Sequence, residues 1–149
     1  MTKRVLALDV GDRTIGVAVS DALGLTAQGV ETIRRKSWDK DFSRIKELMK
    51  LYETDAFIIG LPKNMNGTQG ERCDIVRDFA ERLQKKFKGS SVVFWDERLS
   101  TVAAERSLIA ADVSRAKRRK VIDKMAAVFI LQGYLDNIGM RVGAVPEEK

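Results

Sequence analysis

Six consecutive residues near the amino end, Val5-Leu6-Ala7-Leu8-Asp9-Val10, are apolar at every position but Asp9. Successive side chains of a strand point to opposite faces, so a run without alternation is hidden on both sides and belongs at the centre of a sheet. The remaining chain must therefore supply neighbouring strands and a covering layer on each face. The short turn Gly11-Asp12-Arg13 and a second Val- and Ile-rich run, Thr14 to Ser20, provide a hairpin partner. Leu25 to Ile33, entered through Gly24 and containing Gly29, reads as a weaker third strand towards an edge.

After this meander the apolar period becomes helical. From Trp38 to Tyr52, Phe42, Ile45, Leu48, Met49 and Tyr52 share one face. Ala56 to Gly60 is a short strand, and Leu61 to Gly70 a polar loop. Glu71 to Phe87 carries Ile75, Phe79, Ala80, Leu83 and Phe87 on one stripe, with Gly89 as its stop. Ser91 to Asp96 is the last strand and Leu99 to Ala111 a helix. Asp112 to Arg118 reads as a connection, and Arg119 to Ile138 as a helix so apolar that most of it is buried. The order β-β-β-α-β-α-β-α-α predicts an α/β fold, a mixed five-stranded sheet with helices on its faces. With 149 residues, 44% of them hydrophobic, the chain has material for one core and is too short for two. The reading is a single domain over residues 1–141 and a flexible tail over 142–149.

Absences narrow the chemistry. The chain has no histidine, which excludes within it a Ser-His-Asp triad, a Cys-His pair, a His-ligated zinc and a His general base. Cys73 is the single cysteine, so there is neither a disulfide framework nor a thiolate zinc site of the usual spacing. No apolar stretch reaches the roughly 20 residues of a membrane span, and the first residues lack a signal-peptide layout. These features predict a cytoplasmic protein with no membrane partner. Lys and Arg number 27 against 21 Asp and Glu, a net charge of +6, which favours a polyanionic partner although it also serves solubility.

Three acidic positions stand out. A carboxylate in an otherwise apolar central strand costs several kcal/mol unless it is protonated, paired with a base or bound to a metal, and Asp9 is such a group. Its plainer role would be to tie down the following turn. Asp96-Glu97 closes the last strand. Neighbours there point to opposite faces, and Glu97 is favoured as the inward group, the alternative being that both acids cap the helix from Leu99. Asp123 precedes Ala126, Ala127 and Ile130 by three, four and seven residues, on a stripe that is otherwise small and apolar. Stabilisation of the helix dipole is its alternative role. Together, acids without His or Cys make a hard-oxygen site suited to Mg²⁺ or Mn²⁺. Two such ions about 3.5 to 4 Å apart assist in-line phosphoryl displacement.

Basic residues accompany these acids. Arg115, Lys117, Arg118, Arg119 and Lys120 place five cations in six positions shortly before Asp123, in reach of a phosphate if Asp123 is a ligand. Lys63 and Asn66 belong to the glycine-bearing loop after the fourth strand and are candidates to grip phosphate, although the loop is no Walker motif. Arg34-Arg35-Lys36 and Lys85-Lys86 read as plain surface.

The segments Leu8-Asp9-Val10-Gly11 with Gly16 to Asp21, Gly60-Leu61-Pro62 with Asn66-Gly67 and Gly70, Asp96-Glu97-Arg98-Leu99-Ser100-Thr101, and Asp123 to Ala127 resemble the YqgF (RuvX) family over roughly residues 3 to 138. The resemblance implies a ribonuclease H-like fold. It also implies a metal-dependent nuclease, either of pre-16S ribosomal RNA, at its 5′ end, or of Holliday junctions. By that likeness Asp9, Glu97 and Asp123 would be the catalytic, metal-holding acids and Arg98 would lie near the substrate phosphate. The expected partner is structured RNA or branched DNA, with ribosomal RNA favoured, and the protein would act as a monomer or homodimer. Two other readings compete. One is an ATP-handling protein, from the likeness of Asp9 to Gly16 to a phosphate loop. The other is a non-catalytic RNA- or ribosome-binding module whose acids are structural.

Overall fold

The structure is a computed structural model. It describes residues 4–62, 70–97 and 115–140, with the backbone alone for 115–124 and 138–140. Its elements are β1 (Leu6–Val10), β2 (Thr14–Ser20), β3 (Ala27–Arg34), α1 (Trp38–Leu51), β4 (Ala56–Leu61), α2 (Glu71–Lys86), β5 (Ser91–Asp96) and α3 (Arg115–Met140). The five strands form one sheet in the order β3-β2-β1-β4-β5, so the run apolar on both faces does lie at the centre. The meander β1-β2-β3 is antiparallel, while β4 and β5 add parallel to the other side of β1.

Each face of the sheet has its own core. On one, Leu6, Leu8, Val10, Ile15, Val17, Val19, Ile33, Phe57 and Ile59 meet Phe42, Ile45 and Leu48 of α1 and Val76, Phe79 and Leu83 of α2. The other face is built from smaller residues. Ala7, Ala18, Ile58 and Trp95 meet Ala126, Ala127, Ile130 and Leu131 of α3. Alanines on both sides of this second contact let the helix axis come close to the sheet.

Local chemistry fixes the element ends. The Ser37 hydroxyl accepts from the Lys40 amide at 3.2 Å and caps α1. At the far end Glu53 sits at φ +53°, with Thr54 N–H donating to the Met49 carbonyl and Glu53 N–H to that of Lys50. This is a Schellman closure with Glu where glycine is usual. The β3 strand begins at Ala27 and not at Leu25 because Asp21 takes the preceding residues into a turn. Its carboxylate accepts from the amides of Leu25 and Thr26 and from the Thr26 hydroxyl. Those bonds, led by the Leu25 amide, hold Asp21 below the usual carboxylate range.

The last helix also differs from expectation. It starts at Arg115, so Arg115 to Arg118 are helical and not a connection. Arg, Lys and Ala are strong helix formers, and no Gly or Pro interrupts them. The helix expected at Leu99 to Ala111, the residues 63–69 of the polar loop and the tail 142–149 lie outside the described residues.

Candidate active site

Asp9 stands between Leu8 and Val10, both in the core beneath α1 and α2, so it leaves the strand on the opposite face with Ala7. It is half-buried. The turn that follows is held from two directions. Arg35 Nη1 donates to the Gly11 carbonyl at 3.0 Å, and Arg72 Nη2 donates to the Val10 carbonyl at 3.3 Å. Arg72 also pairs with Asp12 at 3.0 Å. Arg35 pairs with the buried Asp41 at 3.3 Å and stacks 5.0 Å from the Trp38 ring and 5.5 Å from that of Phe79. It is therefore not the plain surface cation that its place in a basic triplet indicated. Asp41 lies in the first turn of α1, where an acid reads simply as dipole-favourable, and nothing in the sequence pairs it with Arg35.

Glu97 follows directly on β5, and Gly60 fixes its place. A Cβ at Gly60 would lie 2.8 Å from Glu97 Oε2 and 2.5 Å from Ile130 Cδ1. The Glu97 carboxylate thus rests over the bare α-carbon of Gly60, as does the end of Ile130, on the face that α3 covers. Leu8 pairs with Ile59 in the parallel ladder, and the next residues along the two strands are Asp9 and Gly60. The structure therefore brings Asp9 and Glu97 to the carboxyl ends of β1 and β5, on one face, with Gly60 of the intervening β4 between them. Asp96 pairs with Leu61 and, by alternation, faces the other way.

The direction of α3 locates the third acid. Gln132 accepts from the Ala27 amide at 2.9 Å and donates to the Leu25 carbonyl at 3.0 Å, near the amino end of β1. Ile130 packs at the carboxyl end of β4. The helix therefore runs from the carboxylate end of the sheet to the opposite end. The Asp123 backbone comes two turns before Ile130, on the stripe of Ala126, Ala127 and Ile130, all fully buried. Arg115, Lys117, Arg118, Arg119 and Lys120 occupy the first turns of the same helix. Lys63, Asn66 and Arg98 lie outside the described residues.

Among the described residues no three His, Cys, Asp or Glu side chains form a metal-holding group. That set does not include the Asp123 side chain, so two carboxylates are the described part of the constellation. Both are hard oxygen donors, which fits Mg²⁺ or Mn²⁺. Gly60 leaves the space that a side chain would take from Glu97. Sequence reasoning named Gly60 only within a family motif and Arg35 only as plain surface, and did not name Arg72, because each acts through a neighbour that the fold supplies. A separate depression at the amino ends of β4 and β5, lined by Val5, Phe57, Ser91, Val93 and Tyr134 among others, has no acid or cation in its described lining. No helix among the described residues is long and apolar enough to cross a membrane.

Comparison with known proteins identifies the family. Residues 3–137 match the family described as RuvX, Holliday junction resolvase. A relative from Desulfitobacterium hafniense, named "Putative pre-16S rRNA nuclease", is 59% identical over 94% of this chain and 96% of its own length. One of the same name from Clostridium novyi is 58% identical over 91% of this chain and 99% of its own. Among solved structures, Thermus thermophilus RuvC in complex with a Holliday junction substrate superimposes with a TM-score of 0.56 at 13% identity, covering 93% of this chain and 97% of that one. Fowlpox virus resolvase, solved with Holliday junction DNA, gives 0.51 at 14% identity over 91% and 98%. These two likenesses establish the fold, the ribonuclease H-like architecture of the RuvC resolvases.

Proposed function

The chain belongs to the RuvX family of nucleases, which act on phosphodiester bonds, and from that premise we propose that Asp9, Glu97 and Asp123 are its catalytic acids and hold Mg²⁺ or Mn²⁺. The observation that carries the reading is the placement of Asp9 and Glu97 on one face at the carboxyl ends of β1 and β5, with Gly60 of β4 between them. Ligands in open α/β sheets bind at such strand ends. The metal, when bound, supplies Lewis-acid polarisation of the phosphate and a more acidic water.

The residues of the chain do the rest. Asp9 is fixed in direction because Arg35 and Arg72 hold the carbonyls of the two residues after it. Glu97 takes the space that a side chain at Gly60 would need, which it shares with Ile130. Water attacks phosphorus in line, opposite the departing oxygen, and Arg98 offsets the charge that develops. The cations in the first turns of α3 sit against the helix dipole, at about 0.3 to 1 kcal/mol each, and a phosphate there relieves both repulsions. Lys63 and Asn66 are the residues we propose to grip a substrate phosphate.

The substrate we favour is precursor 16S ribosomal RNA, on the strength of relatives sharing up to 59% identity that bear that name. A branched-DNA substrate is the second reading, favoured by the description of the family itself. Cleavage of end-labelled precursor rRNA fragments, single-stranded RNA and four-way DNA junctions, with Mg²⁺, Mn²⁺ or EDTA, decides between them. Metal-dependent cutting of one substrate is expected, reduced about a hundredfold or more in Asp9→Asn. Full activity of that variant would overturn the assignment, and RNA binding without cutting by either protein would leave a binding module.

A further inference from the structure

Five cations among the described residues are already engaged by carboxylates. Arg35, Arg44, Arg72, Arg82 and Lys85 each face a carboxylate, respectively of Asp41, Glu31 and Glu47, Asp12, Asp78 and Glu81. Arg13 and Arg34 are exposed and have no such partner among the described residues. An exposed guanidinium without a carboxylate is available to an external anion.

The strand register says where these two stand. Ile15 pairs with Ile33, and both lie in the core beneath α1 and α2. The next pair outward, Thr14 with Arg34, is therefore on the opposite face, the one that carries Asp9. Asp9 pairs with Gly16, and Gly16 pairs with Thr32. That row crosses from β1 to β3 with no side chain at its middle position and a hydroxyl at its end. Arg34 lies two pairs further towards the carboxyl end of β1, the next position on the same face. Two strand spacings and two residues of rise put its α-carbon about 12 Å from that of Asp9. Arg13 adjoins it in the hairpin turn, its carbonyl accepting from the Arg35 amide at 2.8 Å.

At about 3.4 Å of rise per nucleotide, 12 Å spans roughly three nucleotides of one strand. We propose that Arg34, with Arg13 beside it, binds the phosphodiester backbone of the substrate strand about two to four nucleotides from the bond cut, as a rail on the β3 side of the acids. The rail adds to the α3 cations, and it rests on the nuclease reading above. Its ligand chemistry is the repeating phosphate of RNA or DNA, which a guanidinium grips whatever the base.

The test measures binding without cutting, in the Asp9→Asn background. A labelled twelve-nucleotide RNA and a four-way DNA junction are titrated over a series of salt concentrations with Asp9→Asn alone and combined with Arg34→Gln, Arg34→Lys or Lys88→Gln. Lys88 is an exposed cation at the amino end of β5, remote from the acids. Arg34→Gln is expected to weaken binding by about three- to tenfold. It should also lower the slope of log K against log salt by about 0.7 on RNA or about 0.9 on duplex arms. Arg34→Lys should restore the slope, and Lys88→Gln should leave it unchanged. Loss on one nucleic acid alone supports the rail and identifies its strand. If Arg34→Gln matches Lys88→Gln while the wild type still cuts, the rail is wrong and the nuclease stands. If the Asp9→Asn protein binds neither probe and the wild type cuts neither, both fall together.

Discussion

At Gly60 the decisive property is the absence of a side chain. A methyl group there would stand 2.5 Å from Ile130 Cδ1 and 2.8 Å from Glu97 Oε2. Ile130 is wholly buried and cannot retreat into solvent, so the more mobile carboxylate must give way. Gly60→Ala should therefore cost about 1 to 3 kcal/mol in stability through overpacking. Its effect on cleavage should be larger, about ten- to a hundredfold, because a displacement of about 1 Å at a reacting centre has that order of effect. Measuring cleavage at a temperature where the variant is fully folded separates the two. Unchanged cleavage would mean that the seat of Glu97 does not matter to the chemistry. Asp41 is a quieter case of the same kind, since its burial is tolerable only because Arg35 and the Lys36 amide satisfy it.

Between elements, the tie from β3 to α1 carries the main titrating interaction on the described surface. Arg44 grips Glu31 with two parallel bonds, Nε to Oε2 at 2.9 Å and Nη2 to Oε1 at 2.6 Å, and reaches Glu47 as well. The side-chain bond from Arg44 holds the Glu31 carboxyl below its ordinary value of 4.5, and the pair raises Arg44 in turn. A carboxyl depressed in the folded state stabilises above its unfolded value and loses that contribution as pH falls through the folded one. The pair is partly exposed, so Glu31→Gln should lose only about 0.5 to 1 kcal/mol at pH 7. Urea unfolding of both proteins should show the gap intact at pH 6 and closing below pH 4.5, the ordinary value for Glu31. A gap that stays constant down to pH 3 would show that the ion pair does not contribute.

For the whole molecule, the candidate ligands come from β1, the residue after β5 and α3, which are far apart in the chain. A cation held by all three binds the folded state and not the unfolded chain. Mn²⁺ at about a hundred times its dissociation constant should then add about 2.7 kcal/mol. For a chain of this size that is a rise of roughly 5 to 10 °C in Tm. Asp9→Asn should abolish the rise without lowering the metal-free Tm. An equal rise in the variant would place the ion elsewhere.

Much of this was legible in the chain alone. The unbroken apolar run fixed β1 at the sheet centre, because nothing but neighbours on both sides and both faces can hide it. Asp9 drew notice for the same reason, as did Glu97 at a strand end and Asp123 on an apolar stripe, since an acid among apolar residues needs a cause. The start of α3 was misplaced by four residues, Arg115 against Arg119, because charge was taken as a sign of a connection where helix propensity decided. Side-chain alternation assigned faces within a strand, but which strands adjoin is a property of the closed sheet. Only the tertiary structure put Gly60 beneath Glu97, set Arg35 and Arg72 on the turn after Asp9, and turned Arg34 to the face of the acids. Those contacts join residues from separate elements, and their distances are set by how the layers pack, which no local pattern encodes.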